Sequence, residues 1–270
     1  KIQHLVLEGY KDRGLDLLDK SEQKEYQERI IHELNVMKKV DAIDYMLLEQ
    51  HIKEEMRKED RYPGAGRGSV AGSLVAYLLR ITDVDPIKEN LLFSRFINPD
   101  RISMQDVDSD WYEDDRERVQ EFLLTHNKLH CASIVTYGTL GVKSAFKEVA
   151  RGLGFPYDEI NKASKEFIED GGVTIIPELI KNAYPEVCQI AEEVGGVVTN
   201  VGRHAAGVIV SDRDLQSEIG TIEVKYFEYP VSMIDMSGVE SLQYVKLDVL
   251  GLKNIGWIHK ATELAGIERI

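Results

Sequence analysis

Cysteine is scarce in this sequence: Cys131 and Cys188 are the only two among 270 residues. Two thiols build neither a disulfide framework nor a four-thiolate zinc site, and neither lies in a CxxC pair. Such usage suits a reducing compartment. No stretch approaches the roughly 18 consecutive apolar residues of a membrane span, and the opening KIQHLVLEGYKDRG lacks the layout of a secretory signal. The expectation is a soluble, cytoplasmic protein with no membrane partner. Also missing are the GxxxxGK[ST] phosphate loop, HExxH, a GxSxG elbow and zinc-ligand spacing, so zinc and nucleophilic hydrolases are poorly supported. There is no internal repeat, low-complexity tract or Ser/Gly linker.

What is present is a foldable and acidic chain. Hydrophobic residues make up 43% and charged residues 30%, enough to bury a sizeable core. Lys and Arg number 33 against 47 Asp and Glu, and the net charge of −14 argues against a surface that wraps nucleic acid throughout. The charge is unevenly placed. Arg61 to Arg80 holds three arginines and no acid, whereas Met104 to Arg118 holds seven acids and two arginines. A basic stretch followed by an acidic one points to a phosphate and metal site.

Helical spacing of Ile30, Leu34 and Met37, then of Ile43, Met46, Leu47, Ile52 and Met56, predicts a helical hairpin broken near Asp41 and Asp44. The run Pro63-Gly64-Ala65-Gly66-Arg67-Gly68-Ser69 cannot hold a regular element. It leads into VAGSLVAYLLRI, read as a buried helix ending near Asp83, and a glycine loop feeding a helix N-terminus attracts anions. Two extended segments, Leu91 to Ile97 and Ile102 to Trp111, are expected on either side of an Asn98-Pro99-Asp100 turn. A polar helix follows from Glu113 to His126, then a strand from Ala132 to Tyr137. From Leu140 to about Thr199 the texture predicts helices at Val142–Leu153, Asp158–Ile168 and Pro177–Val194. Strand signals return at Ala206–Val210, Glu223–Glu228, Val231–Ile234 and Tyr244–Val249, before a closing helix from Leu250.

The strongest chemical feature is Asp106-Val107-Asp108-Ser109-Asp110. On a strand its three carboxylates share one face, while Val107 and Trp111 pack behind. Like charges so close repel unless a cation neutralises them or they spread into water. Hard oxygen ligands at this spacing suit Mg²⁺. A solvated acidic strand end continuing into Glu113-Asp114-Asp115 explains the triplet equally simply. Lys246 and Asp248 share a face of an otherwise apolar strand, either as a buried ion pair or with Asp248 as a carboxylate supplied to the triplet. Arg67, Arg95 and Arg101 offer planar forks for phosphate oxygens, or surface ion pairs. His204 is read as a local hydrogen-bonding residue. Two metal ions, carboxylates, a glycine loop and arginines together have the logic of in-line phosphoryl displacement.

The blocks GAGRGSVAGSLVAYLLRITDVDP, LLFSRFINPDRISMQDVDSDW, VTYGTLGVKSAFKEVARGLG, GRHAAGVIV and VKLDVLGLKNI occur in the order found in bacterial C-family replicative DNA polymerases. The sequence resembles the DNA polymerase III alpha subunits and their Gram-positive relatives from about Glu28 to Gly256. The resemblance implies a mixed α/β (α+β) fold: a nucleotidyltransferase-like palm sheet, similar to polymerase beta, with an inserted helical thumb. It implies first and second palm parts at 1–139 and 203–270, and a thumb at 140–202. Carried over, Asp106, Asp108 and Asp248 would hold two Mg²⁺ ions (Mn²⁺ in their place), with Asp110 in a supporting position. Arg67, Gly68 and Ser69 would grip the triphosphate, with Arg95, Arg101 and Lys246 near the incoming nucleotide; Lys143 and Arg151 would face duplex DNA. Gln105, Ser109 and Trp111 depart from the proline, apolar residue and phenylalanine usual there. Implied partners are primer–template DNA, dNTP and other replisome subunits. The flanking PHP, fingers and clamp-binding regions are expected elsewhere, so 270 residues alone are expected to be inactive. A non-catalytic scaffold or DNA-binding module retaining this fold, and a metal-dependent phosphohydrolase, remain alternatives.

Overall fold

A computed structural model describes residues 1–98 and 107–267. Asp106, Arg101 and the rest of the segment around the expected Pro99-Asp100 turn lie outside the described residues. The chain divides into two compact units, Lys1–Ile134 with His204–Ile270, and Val135–Arg203.

The first unit begins with helices α1 (Ile2–Asp12), α2 (Lys20–Lys39) and α3 (Ile43–Lys58). Asp19 caps α2 in a reciprocal box with Glu22, and Asp41, at φ 53°, turns the chain between α2 and α3. The glycine-rich segment is followed by a 3₁₀ turn at Gly68–Gly72 and then by α4 (Leu74–Leu78). This corrects the single long helix expected there, because Ser73 is extended (φ −99°, ψ 121°) and restarts the helix as its cap. The residues are nevertheless buried: Val70, Leu74, Val75, Ala76 and Leu78 join Val6, Tyr26, Met37 and Met46 in one apolar cluster. The strand expected at Leu91–Ile97 is instead a 3₁₀ turn at Phe93–Arg95. Phe93, Phe96 and Ile97 all enter the same cluster, a spacing that a helical turn satisfies and a strand does not.

The rest of this unit is built on a six-stranded mixed sheet. Its strands are β1 (Asp108–Trp111), β2 (His130–Thr139), β5 (Val198–Ser211), β6 (Thr221–Val224), β7 (Phe227–Ser232) and β8 (Val245–Gly251), in the order β1-β8-β5-β2-β7-β6. β8 is parallel to β1 and antiparallel to β5; β7 is parallel to β2 and antiparallel to β6. Helix α5 (Glu113–Leu124) follows β1, and Trp111, Val119, Leu123, Val208, Val210, Leu247 and Val249 close one sheet face with Ile52 and Met56 of α3. On the other face Ala132, Ile134 and Ile209 pack with Leu215 of α10 (Leu215–Glu218) and Val239 of α11 (Met236–Ser241). Helix α12 (Lys253–Leu264) closes the chain.

The unit boundaries fall within β2 and β5. The second unit holds α6 (Val142–Gly152), α7 (Tyr157–Ala163), α8 (Glu178–Ala183) and α9 (Pro185–Val194) around Phe146, Ile160, Phe167, Val187 and Ala191. Two expectations are corrected here. The helix expected to reach Ile168 stops at Ala163, and an antiparallel hairpin of β3 (Ile168–Asp170) and β4 (Val173–Ile175) follows. Gly171 and Gly172, at φ 55° and 83°, make the two-residue turn, whose backbone only such residues adopt readily. The helix expected from Pro177 to Val194 is two helices, parted where Tyr184 leaves helical geometry and Pro185 starts the second.

Candidate functional site

The parallel pairing of β1 and β8 sets Asp108 directly opposite Asp248. Partners in register project to the same side, so two carboxylates 140 residues apart in sequence are neighbours on one face. On the other side of β8, Asp248 is opposite Gly207 and Lys246 is opposite Ile209. Lys246 Nζ lies 2.8 Å from Asp248 Oδ2, and Asp248 Oδ1 is buried with no hydrogen-bond partner among the described residues. A buried oxygen left unpaired is costly, and a cation is one way to satisfy it.

The glycine-rich segment is fastened against this face. The Gly64 amide donates to the Asp110 carbonyl at 2.8 Å. Arg67 places Nη1 3.1 Å from Asp110 and Nε 3.5 Å from Asp108. Gly68 adopts φ 63°, and a Cβ there would stand 3.8 Å from Asp108 Oδ2. Gly68 and Ser69 are exposed beside the carboxylates. Burial raises the carboxyl pKa of Asp110, opposed by Arg67 and reinforced by Asp108. Among the described residues no three His, Cys, Asp or Glu side chains converge closely enough to hold a metal ion.

The helix N-terminus behind the loop is not open to an external anion. Glu33 of α2, fully buried, accepts from the Ser73 hydroxyl (2.8 Å) and from the amides of Leu74 and Val75 (both 3.0 Å). Arg29 pairs with Glu33 at 2.6 Å and donates to the carbonyls of Gly72 and Leu91. An internal carboxylate thus fills the anion position that a helix start offers. Behind β1, Ser109 donates to Glu49, which also lies 3.4 Å from buried Lys53; Lys53 in turn donates to the Ile81 carbonyl. The unusual polar Ser109 therefore meets polar partners. Sequence reasoning missed Glu33, Glu49 and Lys53, since each occupies an ordinary helical position whose partner is distant in sequence.

The other candidates make no hydrogen bond or ion pair with these carboxylates among the described residues. Arg95 is exposed on its 3₁₀ turn and, among the described residues, makes no ion pair with Asp108 or Asp248. Lys143 and Arg151 lie on α6 in the second unit, where Arg151 pairs with Glu148. His204 Nδ1 accepts from the amides of Ala206 and Gly207.

Comparison with known proteins matches the sequence that builds this geometry to a family. The family described as "Bacterial DNA polymerase III alpha NTPase domain" matches residues 1–251. The chain is 34% identical over 251 residues to DNA polymerase III subunit alpha of Bacillus subtilis (strain 168), covering 88% of this chain and 22% of that protein. It is 37% identical over 263 residues to the Ureaplasma parvum subunit, covering 94% and 27%. With that of Escherichia coli (strain K12) it is 33% identical over 279 residues, covering 97% and 24%. The chain thus spans about a quarter of the length of these relatives. With the family matched over residues 1–251 and relatives at 33–37% identity over most of its length, the chain belongs to the bacterial DNA polymerase III alpha NTPase domain family.

Proposed function

We propose that this chain is the catalytic palm, with an inserted thumb at Val135–Arg203, of a DNA-directed DNA polymerase that joins dNTP to a primer 3′-OH on template DNA. The observation that carries the reading is the register of Asp108 opposite Asp248 with the Gly68 turn beside them. Two adjacent carboxylates, one with a buried unpaired oxygen, suit a hard cation such as Mg²⁺ or Mn²⁺. Asp108 and Asp248 would hold it, with Asp106 as the further ligand that the resemblance supplies. When bound, such ions stabilise charge on the attacking and leaving oxygens of an in-line displacement. The chain's own part is to bind and orient. The Gly68–Ser69 backbone receives the triphosphate, and Arg67, turning from the carboxylates to a phosphate, neutralises it. Lys246 holds Asp248 in place, and Arg95 and Arg101 add positive charge toward the nucleotide. Lys143 and Arg151 belong to the duplex-binding side, and replisome subunits bind elsewhere.

The test is single-turnover incorporation by an enzyme active in primer extension. Asp108→Asn or Asp248→Asn should slow the chemical step by about two orders of magnitude or more while thermal unfolding stays near that of the parent. Near-normal incorporation by either variant refutes the assignment. The net charge of −14 favours a second reading, a scaffold that keeps the fold without chemistry. That reading expects both variants to retain every binding function and the parent to incorporate nothing.

A further inference from the structure

Of the three arginines between Arg61 and Arg80, two have acidic partners: Arg61 pairs with Asp115, and Arg67 with Asp108 and Asp110. Arg80 has none among the described residues. It lines a cavity of about 390 Å³ in the first unit, between α1, α3 and the chain entering the glycine-rich segment. Arg13, Arg57 and Lys58 bring three further cations to its wall, against two acids, Glu54 and Asp83. With Arg13 and Lys58 each matched to a carboxylate, Arg57 and Arg80 stand against Glu54 alone. Asp83 is taken up by Arg13 at 2.6 Å, and Lys58 turns away to Glu55 at 2.6 Å. Arg57 gives Nη2 to the Arg80 carbonyl at 2.7 Å, while its Nη1 and the Nε of Arg13 are buried with no acceptor among the described residues.

Buried donors without acceptors are rare enough in folded proteins to need an explanation, and a guanidinium's are the most costly. Burial also holds Arg57 below its usual pKa, with Asp83 and Glu54 opposing the depression and Arg80 and Arg13 adding to it. In a chain of net charge −14, a concave site with excess positive charge, lined by an exposed Arg80 guanidinium that has no ion pair among the described residues, has the chemistry that recognises a compact oxyanion. The cavity is separate from the aspartate face, although its wall is tied to the loop through the Asp83 amide and the Ala65 carbonyl at 2.6 Å.

We propose that the Arg13–Arg57–Arg80 cavity is a second anion site that binds a free phosphate-type anion, inorganic phosphate or pyrophosphate, independently of divalent metal. Titration of each anion into the chain, followed by calorimetry and by ³¹P NMR, is carried out in EDTA so that metal-bridged binding at the aspartates is absent. Saturable binding of one anion per chain is expected. Affinity should fall about tenfold or more in Arg80→Ala, the loss of one charge-assisted contact. Arg80 is exposed and its side chain supports no described hydrogen bond; at φ 57°, alanine carries the same backbone strain. Its thermal midpoint should therefore match the parent's, separating lost binding from lost folding. Pyrophosphate binding more than tenfold tighter than phosphate identifies a diphosphate ligand; equal affinities identify a single phosphate group. The proposal is overturned if neither anion binds, if Arg80→Ala binds unchanged, or if Arg67→Ala abolishes binding while Arg80→Ala does not.

Discussion

Replacing Glu33 by alanine removes the acceptor for four donors at once: the Ser73 hydroxyl, the amides of Leu74 and Val75, and the Arg29 guanidinium. Breaking one half of a buried pair costs about 3–5 kcal/mol, and each stranded buried donor costs about 1–3 kcal/mol. These overlap, so a loss of about 4 kcal/mol in urea unfolding is expected, a large fraction of the roughly 5–15 kcal/mol of a typical domain. A second variant separates two accounts. If Glu33 served only as counter-ion to Arg29, the double change Arg29→Met with Glu33→Leu would be close to neutral, as for many buried pairs replaced by apolar groups. The structure expects otherwise. Leu74 and Val75 begin α4, and their amides stay unpaired in the double variant, which should still lose about 2 kcal/mol or more. A double variant as stable as the parent would refute the reasoning, as would a single variant that loses less than about 1 kcal/mol.

Further expectations concern titration and reactivity. The Asp110 carboxyl is raised by burial, so its ionisation opposes folding: its contribution is favourable below the ordinary carboxylate range and is lost as pH rises through the raised value. Asp110→Asn should therefore melt higher than the parent at pH 7, with the gap closing below pH ~4, and a lower melting point at pH 7 would contradict this. Burial pushes the Cys131 thiol up to about 12 and raises that of Cys188, and both side chains are buried. Neither should react with iodoacetamide at pH 8 until the chain unfolds. Labelling of the native chain within minutes would show that one of them is accessible.

The legible parts of this fold were those written in local periodicity. The hairpin of α2 and α3, the polar α5 and the cores of β2, β5 and β8 follow from spacing, whose alternation in β8 puts Lys246 and Asp248 on one face. The single strand expected at Glu223–Glu228 is instead broken by the turn between β6 and β7, where Tyr226 adopts φ 64°. The approach of β8 to β1 is in no spacing: the residues offer it only as one of two readings of Asp248, and the resemblance alone selects it. Misreadings arose where two elements share a composition. Leu91–Ile97 looks extended because it is apolar, yet Phe93, Phe96 and Ile97 at helical spacing already pointed to a turn. Asp170-Gly171-Gly172 carried a hairpin signal that the helical texture around it obscured. Glu33 left no trace because a glutamate in α2 is ordinary until the chain returns about 40 residues later to present its amides.

Strand β8 occupies an interior position of the sheet, between β1 and β5, yet it is the last in sequence of the sheet's six described strands. During synthesis on a ribosome the edges of β1 and β5 therefore wait unpaired until residues 245–251 emerge, an exposed template for mispairing. Completion of that gap is the same event that brings Asp248 beside Asp108. A nascent chain thus acquires a closed sheet and its paired acids in one step, and an interrupted one has neither.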